Sequence, residues 1–465
     1  MNRRKAIRQL GLGAAAGFVL PGVLQSCKDD DSEPSPELEY DGSVVIVGAG
    51  AAGLYAAQLL VDQGVNVIIL EAASAVGGRV KSLRGFDDYP IELGGGVIKK
   101  RNSSFFQSIQ DLNLEITDIS GGLDNLFFYQ SELKTAADLS ENTAFNSAQN
   151  FVDGLEQYTG GGTVQTAIQN AGIPSEMYNI LQGQIGNEFG ADNDQINIQA
   201  LAAALQNADA NDQLVLGSNP MQDLLYSKFS DITRRVRFNT VVQAINYTGS
   251  EITLTTNAGD VVANKVILTV PVSILKEGKI GFSPALPEAK VSAMSRIGMA
   301  PAFKVVFKFT RNFWGQNVQY IYGGTQATSY FNAGAKVSET NRCLTVEAFG
   351  QHAVALAALS DEELKDVLIA ELDAMFDGSA SANNALVDMV KYDWTADENI
   401  MGGFSYPLAG GSNDDRITLA EPINKRLYFA GEATDVEGSF GTIHGAVASG
   451  ERAANEVLTD ILETL

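Results

Sequence analysis

Cysteine and histidine are almost absent from this chain: its 465 residues include two of each, Cys27 and Cys343, His352 and His444. Two histidines so far apart in sequence offer no metal-ligand spacing, so no metal is expected. Cys343 lies in an apolar, strand-like run, Cys343 to Val346, and reads as a small packed hydrophobe. Basic side chains are the minority, 32 against 56 acidic ones, for a formal charge of −24. Such a polyanion repels nucleic acid and anionic lipid and weakly concentrates cations; the same charge also serves plain solubility. Long apolar runs are missing too. The one candidate, Leu10 to Leu24, falls short of the ~20 residues that span a bilayer as a helix. No internal repeat is evident, and no Ser/His/Asp or Cys/His constellation stands out. What remains is ordinary globular composition, 45% hydrophobic and 19% charged, in a chain long enough for two domains with sizeable cores.

The first 27 residues read as an address. A basic opening (Arg3, Arg4, Lys5) precedes the apolar stretch, which runs into Leu24-Gln25-Ser26-Cys27, the order of a secretory signal; a plain N-terminal helix is the competing reading. Arg3-Arg4 resembles a twin-arginine signal. Leu24 to Cys27 resembles a lipobox, which implies lipidation of Cys27 and leaves no pair for an intrachain disulfide. Residues 28–42 are acidic, with Pro and Ser, too polar to fold, and read as a tether. The expectation is an exported lipoprotein of a bacterial envelope, periplasmic or at the cell surface, touching membrane only through its lipid anchor.

Residues 44–71 carry a dinucleotide signature. Val44 to Val47 is a β-branched run fit for a buried parallel strand, and it leads into Gly48-Ala49-Gly50-Ala51-Ala52-Gly53 and a helical pattern. A second buried strand, Val65 to Leu70, ends at Glu71. Gly48 allows the tight turn, Gly50 lets the backbone approach a pyrophosphate, and Gly53 lets helix and strand pack closely. The phosphate then meets the helix N-terminus, with the amides of Ala51 and Ala52. Glu71 stands at the distance of a ribose-binding acid.

Glu71-Ala72-Ala73-Ser74-Ala75-Val76-Gly77-Gly78-Arg79 resembles the signature of flavoproteins in the glutathione-reductase-like and amine oxidase group. The likeness favours FAD over NAD, with Ala72 and Gly78 at the cofactor and Arg79 as a planar cation for its diphosphate. Ile91-Glu92-Leu93-Gly94-Gly95-Gly96 resembles that group's loop beneath the isoalloxazine ring, which implies contacts from Gly95, Gly96 and Val97. Leu427 to Glu432 followed by Gly441-Thr442-Ile443-His444-Gly445-Ala446 is similar to the closing FAD motif of the flavin amine oxidase family: monoamine oxidases, polyamine oxidases and lysine-specific histone demethylases. The resemblance implies FAD contacts from Gly431, Glu432, Thr442 and Ile443, and from Val242 in the strand-like run after Asn239. His444 reads as structural. Gly298 to Phe307 resembles the segment with the family's flavin-facing lysine, here Lys304, which in the family holds a water at flavin N5 and assists reaction with dioxygen. The competing reading is a lysine snorkelling from a strand edge. Trp394 resembles a tryptophan beside flavin and lysine; an ordinary core tryptophan fits as well.

The likeness, in order from about 43 to 460, implies an α/β FAD-binding domain, Rossmann-like and of glutathione-reductase type, assembled from residues 43–100, 217–279 and 395–465. Residues 101–216 and 280–394 are expected to form an inserted α+β substrate domain. The implied reaction is oxidation of a C–N bond in a small amine by hydride transfer to FAD, with dioxygen as acceptor and hydrogen peroxide released. Three departures narrow it. Phe404 stands where monoamine oxidases attach flavin through cysteine, so FAD is expected to be non-covalent. Ser405 and Thr442 stand at the two positions of the family's aromatic cage, which points away from simple arylalkylamines and makes Phe404, Ser405, Tyr406 and Thr442 the expected substrate pocket. Val97 replaces the arginine by which L-amino acid oxidases hold a carboxylate; Lys99, Lys100 and Arg101 are nearby, yet a flexible lysine is a poor bidentate substitute, which demotes amino acids without excluding them. The alternatives are an amine dehydrogenase that passes electrons to an exported carrier such as a cytochrome c, an L-amino acid oxidase, C–C desaturation on the same fold, and a non-catalytic flavin-bearing binding protein. Oligomeric state is not legible.

Overall fold

A computed structural model describes residues 40–208 and 212–464; the signal, Cys27 and most of the tether lie outside the described residues. The first strand, β1 (Ser43–Val47), sits at the centre of a five-stranded parallel sheet. Asn66–Leu70 (β2) and Val236–Arg237 extend the sheet on one side, Lys265–Leu268 and Leu427–Phe429 on the other. The β-branched run explains its central place, because alternate side chains enter two different cores. Val44 and Ile46 pack under helix α1 (Ala51–Asp62) and the C-terminal helix Ile443–Leu462. Val45 and Val47 pack against an outer sheet built on Val242–Asn246, Ile252–Thr256 and Gly259–Ala263. The two helices touch so closely that a Cβ on Gly450 would lie 2.2 Å from the Ala52 carbonyl oxygen.

A second, seven-stranded sheet stands beside this unit. Its order is Leu386–Asp393, Ala302–Phe309, Cys343–Phe349, Ser329–Asn332, Val318–Tyr322, Asp124–Tyr129, Glu132–Thr135. One face is covered by helices Gly350–Ala357 and Asp361–Met375. The latter opens with a reciprocal capping box between Ser360 and Glu363, the N-cap that the Ser-Asp-Glu-Glu run specifies. Phe303, Val305, Phe307 and Phe309 point under those helices, which turns Ala302 and Lys304 to the opposite face, towards the first unit. A ribbon of Ile297–Met299 and Ser405–Pro407 links the two units.

Two segments depart from the expected division. Helix Ser104–Asp111, assigned to the inserted part on sequence, buries Phe105, Phe106 and Ile109 in the core beneath β1. Gly281–Ser283 pairs with Val242–Asn246 in the outer sheet. Both follow from the pattern of apolar burial, which places an amphipathic helix or a short strand wherever a partner face is open.

Candidate active site

The cradle forms where β1 meets α1. Gly48 takes φ +110°, a region open mainly to glycine, and its N–H donates to the Leu70 carbonyl at 2.8 Å. Gly50 caps α1 with no side chain, and the first turn holds no acidic residue. The helix therefore presents free amides and the positive end of its dipole to a cavity of about 760 Å³, lined here by Gly48, Gly50, Ala51 and Ala52. That arrangement suits a phosphate. A Cβ on Gly50 would meet nothing nearer than the Gly77 carbonyl oxygen at 3.8 Å, so the space above it belongs to the cavity. Gly53 does not face the cavity. Its Cβ would sit 2.0 Å from the Gly48 carbonyl oxygen, so its role is close packing of turn and helix.

Glu71 directly follows β2, its carboxylate held from both sides. Ala49 N–H donates to Oε2 at 2.6 Å and Ala73 N–H to Oε1 at 2.8 Å. Burial pushes this carboxyl above its usual range, and the two amides oppose that push. Its remaining lone pairs and Ala72 line the cavity beside Val242, which is where a ribose diol and a base would be received. Gly78 and Arg79 follow on the wall. Arg79 Nη1 donates to Glu432 Oε1 at 2.7 Å and to the Gly403 carbonyl at 3.2 Å. The loop of Gly95, Gly96 and Val97 forms the floor, and Gly431, Glu432, Thr442 and Ile443 close the cradle from the C-terminal segment. Thr442 caps the last helix: its hydroxyl accepts from Gly445 N–H at 3.0 Å and donates to the Ser439 carbonyl at 2.6 Å. That helix also starts at the cavity, where its dipole favours negative charge.

Lys304, 7% exposed, stands on the opposite wall. It is the cross-strand partner of Glu347 and forms an ion pair with it. Glu347 also lines the cavity, with its side chain 40% exposed. Trp394 lies on the same wall and donates its indole N–H to the Leu93 carbonyl at 2.9 Å, tying wall to floor. Phe404 faces the cavity and meets Phe349 edge-on, ring centres 5.2 Å apart. Tyr320 completes this aromatic part. His444 is buried and off the lining; burial first, then Lys100 and Lys99, push its pKa down to about 4, which leaves it neutral near pH 7.

Two expected pocket residues fall elsewhere. Ser405 and Tyr406 do not line the cavity, because they belong to the ribbon paired with Ile297–Met299. Tyr406 lies over Gly298, where a Cβ would come within 2.3 Å of its ring. Ser405 is fully buried and spends its hydroxyl on Glu432. The aromatic and acidic members Tyr320, Phe349 and Glu347 were missed in sequence. Glu347 alone left a signal, a single acid in the apolar run Cys343–Phe349.

The cradle fits a dinucleotide: glycine-lined approach, two helix N-termini, a held ribose acid and an arginine with donors to spare. Running on into an aromatic pocket with a buried lysine, it defines a dinucleotide-dependent oxidoreductase. The sequence pattern described as "flavin containing amine oxidoreductase" matches residues 51–178 and 204–458, and the chain belongs to that family. Similar proteins include polyamine oxidase 4 of Oryza sativa subsp. japonica, 28% identical over 96% of this chain and 92% of its own. Lysine-specific histone demethylase 2 of Homo sapiens is 25% identical over 95% of this chain and 56% of its own. Among solved structures, cyclohexylamine oxidase from Brevibacterium oxydans IH-35A superposes with a TM-score of 0.77 at 21% identity, covering 91% of this chain and 99% of the other. The protein is a flavin-dependent amine oxidoreductase with FAD as its cofactor.

Proposed function

We propose that this protein is an exported amine oxidase that takes a small aliphatic amine or polyamine, with dioxygen as the electron acceptor and hydrogen peroxide as product. The observation that carries the reading is Lys304, a buried ammonium brought to the cavity wall opposite the dinucleotide cradle. Bound FAD, held non-covalently, supplies the two-electron sink. The chain's own part is to orient the amine, exclude water and hold charge in place. Phe349, Phe404 and Tyr320 offer ring faces and edges to the alkyl part of a substrate. The acids Glu188 and Glu347 on the lining are each paired with a lysine, Lys99 and Lys304, so neither leaves a free cation there to hold a carboxylate. Lys99, two residues after Val97 and on the lining, is occupied by Glu188, which argues against a carboxylate-bearing substrate. The imine product is hydrolysed by water to a carbonyl compound and an amine. The inserted segments, with the seven-stranded sheet, act as the substrate domain in this reading.

Anaerobic mixing tests it. Alkylamines or polyamines should bleach the visible flavin absorbance while L-amino acids leave it unchanged, and admitting air should restore the colour within seconds with peroxide formed. Recovery over many minutes would point instead to a dehydrogenase with a protein electron carrier, and no bleaching by any amine to a non-catalytic flavin protein. For export, the full chain made in a Gram-negative host should take up labelled palmitate and sediment with membranes, and Cys27→Ser should abolish both. An unlabelled wild type would remove the lipoprotein reading.

A further inference from the structure

Behind Glu432 lies a charge that no motif contains. Arg416 is buried in helix Asn413–Ala420 and does not line the cavity. Its Nη1 donates to Ser405 Oγ at 2.7 Å and to the Ala433 carbonyl at 3.1 Å. Its guanidinium carbon lies 4.2 Å from the centre of the Phe440 ring. Ser405 in turn donates its hydroxyl to Glu432 Oε2 at 2.6 Å and its N–H to Oε1 at 3.2 Å. Gly441 N–H donates to the same Oε2 at 2.7 Å, and Arg79 holds Oε1. Glu432, 4% exposed, is thus saturated, with one cation on the cavity side and another behind it. Arg79 spends only Nη1 on Glu432 and Gly403; among the described residues, Nε and Nη2 have no hydrogen-bond partner.

A carboxylate on the wall of a diphosphate site needs an explanation, because like charges in a poorly hydrated place repel strongly. A lone buried carboxylate would also be costly or would take up a proton. Against the upward push of burial, Arg79 and Arg416 hold the Glu432 carboxyl below the usual carboxylate range. If Arg79 alone balanced Glu432, its charge would be spent before any phosphate arrived. A second cation behind Ser405 removes that conflict.

We propose that Arg416 is a positioning residue for the cofactor: acting through Ser405, it offsets and fixes Glu432, which leaves the Nε and Nη2 donors of Arg79 oriented for the flavin diphosphate. Arg416 carries this role without touching the ligand. The full chain stripped of flavin and titrated with FAD tests it. Arg416→Met should weaken FAD binding on the order of 10- to 100-fold, the range found when a partner that orients a metal-binding side chain is removed. Arg416→Lys should recover part of the affinity. Ser405→Ala, which cuts the link and leaves the charge, should weaken binding by a smaller factor. In a Glu432→Gln background Arg416→Met should add little, because no charge remains to offset. Wild-type affinity in Arg416→Met, or an equal loss with and without Glu432, would overturn the proposal. If Arg416→Met does not fold, Arg416→Gln decides in its place: a loss of FAD affinity that shrinks in the Glu432→Gln background supports the relay, and an equal loss in both backgrounds refutes it. Failure of the wild type to bind FAD would instead contradict the cofactor.

Discussion

Lys304→Met is expected to slow the reaction of the reduced protein with dioxygen by about 10²- to 10³-fold, the range in which loss of one fixed charge or donor at a reacting centre falls. Methionine keeps most of the stem and none of the charge, so the wall stays filled while the ammonium disappears. The residue is on the face of its strand that looks away from the covering helices. Glu347, its partner, has a side chain 40% exposed, so losing the ion pair leaves a carboxylate that water can still solvate, and the fold loses little. Stopped-flow mixing of photoreduced protein with aerated buffer measures the effect separately from substrate oxidation. A fall confined to reoxidation supports a role in the dioxygen step. Equal losses in both half-reactions would mark Lys304 as a packing residue, and no loss would remove it from the chemistry.

The second large effect separates two glycines three residues apart. Gly50→Ala places a methyl group in the cavity, with no protein atom nearer than 3.8 Å. It costs the fold about 0.5–1 kcal/mol, as alanine replaces a tolerated helix cap. The same methyl stands where the backbone must approach the cofactor, and FAD binding should weaken by about 10²-fold. Gly53→Ala puts its methyl 2.0 Å from the Gly48 carbonyl oxygen, and it should destabilise the flavin-free chain by about 3 kcal/mol or more through forced displacement of turn and helix. Denaturation of the flavin-free variants beside FAD titration distinguishes them: Gly50→Ala is stable and binds FAD weakly, Gly53→Ala is unstable. Similar behaviour of the two would contradict the division between ligand space and packing space.

How much of this was legible follows from distance along the chain. The strand, glycine turn, helix, strand and acid of residues 43–71 are contiguous, so spacing alone describes their geometry. The strand Leu427–Phe429 just before Glu432 and the helix starting at Ile443 are equally local. The wall facing them is not. Glu347 reaches Lys304 only through antiparallel pairing of Ala302–Phe309 with Cys343–Phe349, and a register between distant strands has no local signal. Tyr320 and Phe349 arrive on the same sheet. Ser405 and Tyr406 were misjudged for the same reason: adjacency to Phe404 in sequence suggested one pocket, whereas pairing with Ile297–Met299 takes them into the interior. Arg416 reads in sequence as an ordinary arginine of an acidic helix start, Asn413-Asp414-Asp415. Its burial depends on the packing of that helix against the segment after Glu432.

The account rests on three separated stretches of chain gripping one flavin without a covalent bond. Among the described residues Cys343 is the only cysteine, and it is buried away from the cavity lining. Acid precipitation of the purified full chain tests this directly. Intact FAD, one per polypeptide, should appear in the supernatant over a colourless pellet. A protein that purifies colourless and takes up no added FAD would contradict the account.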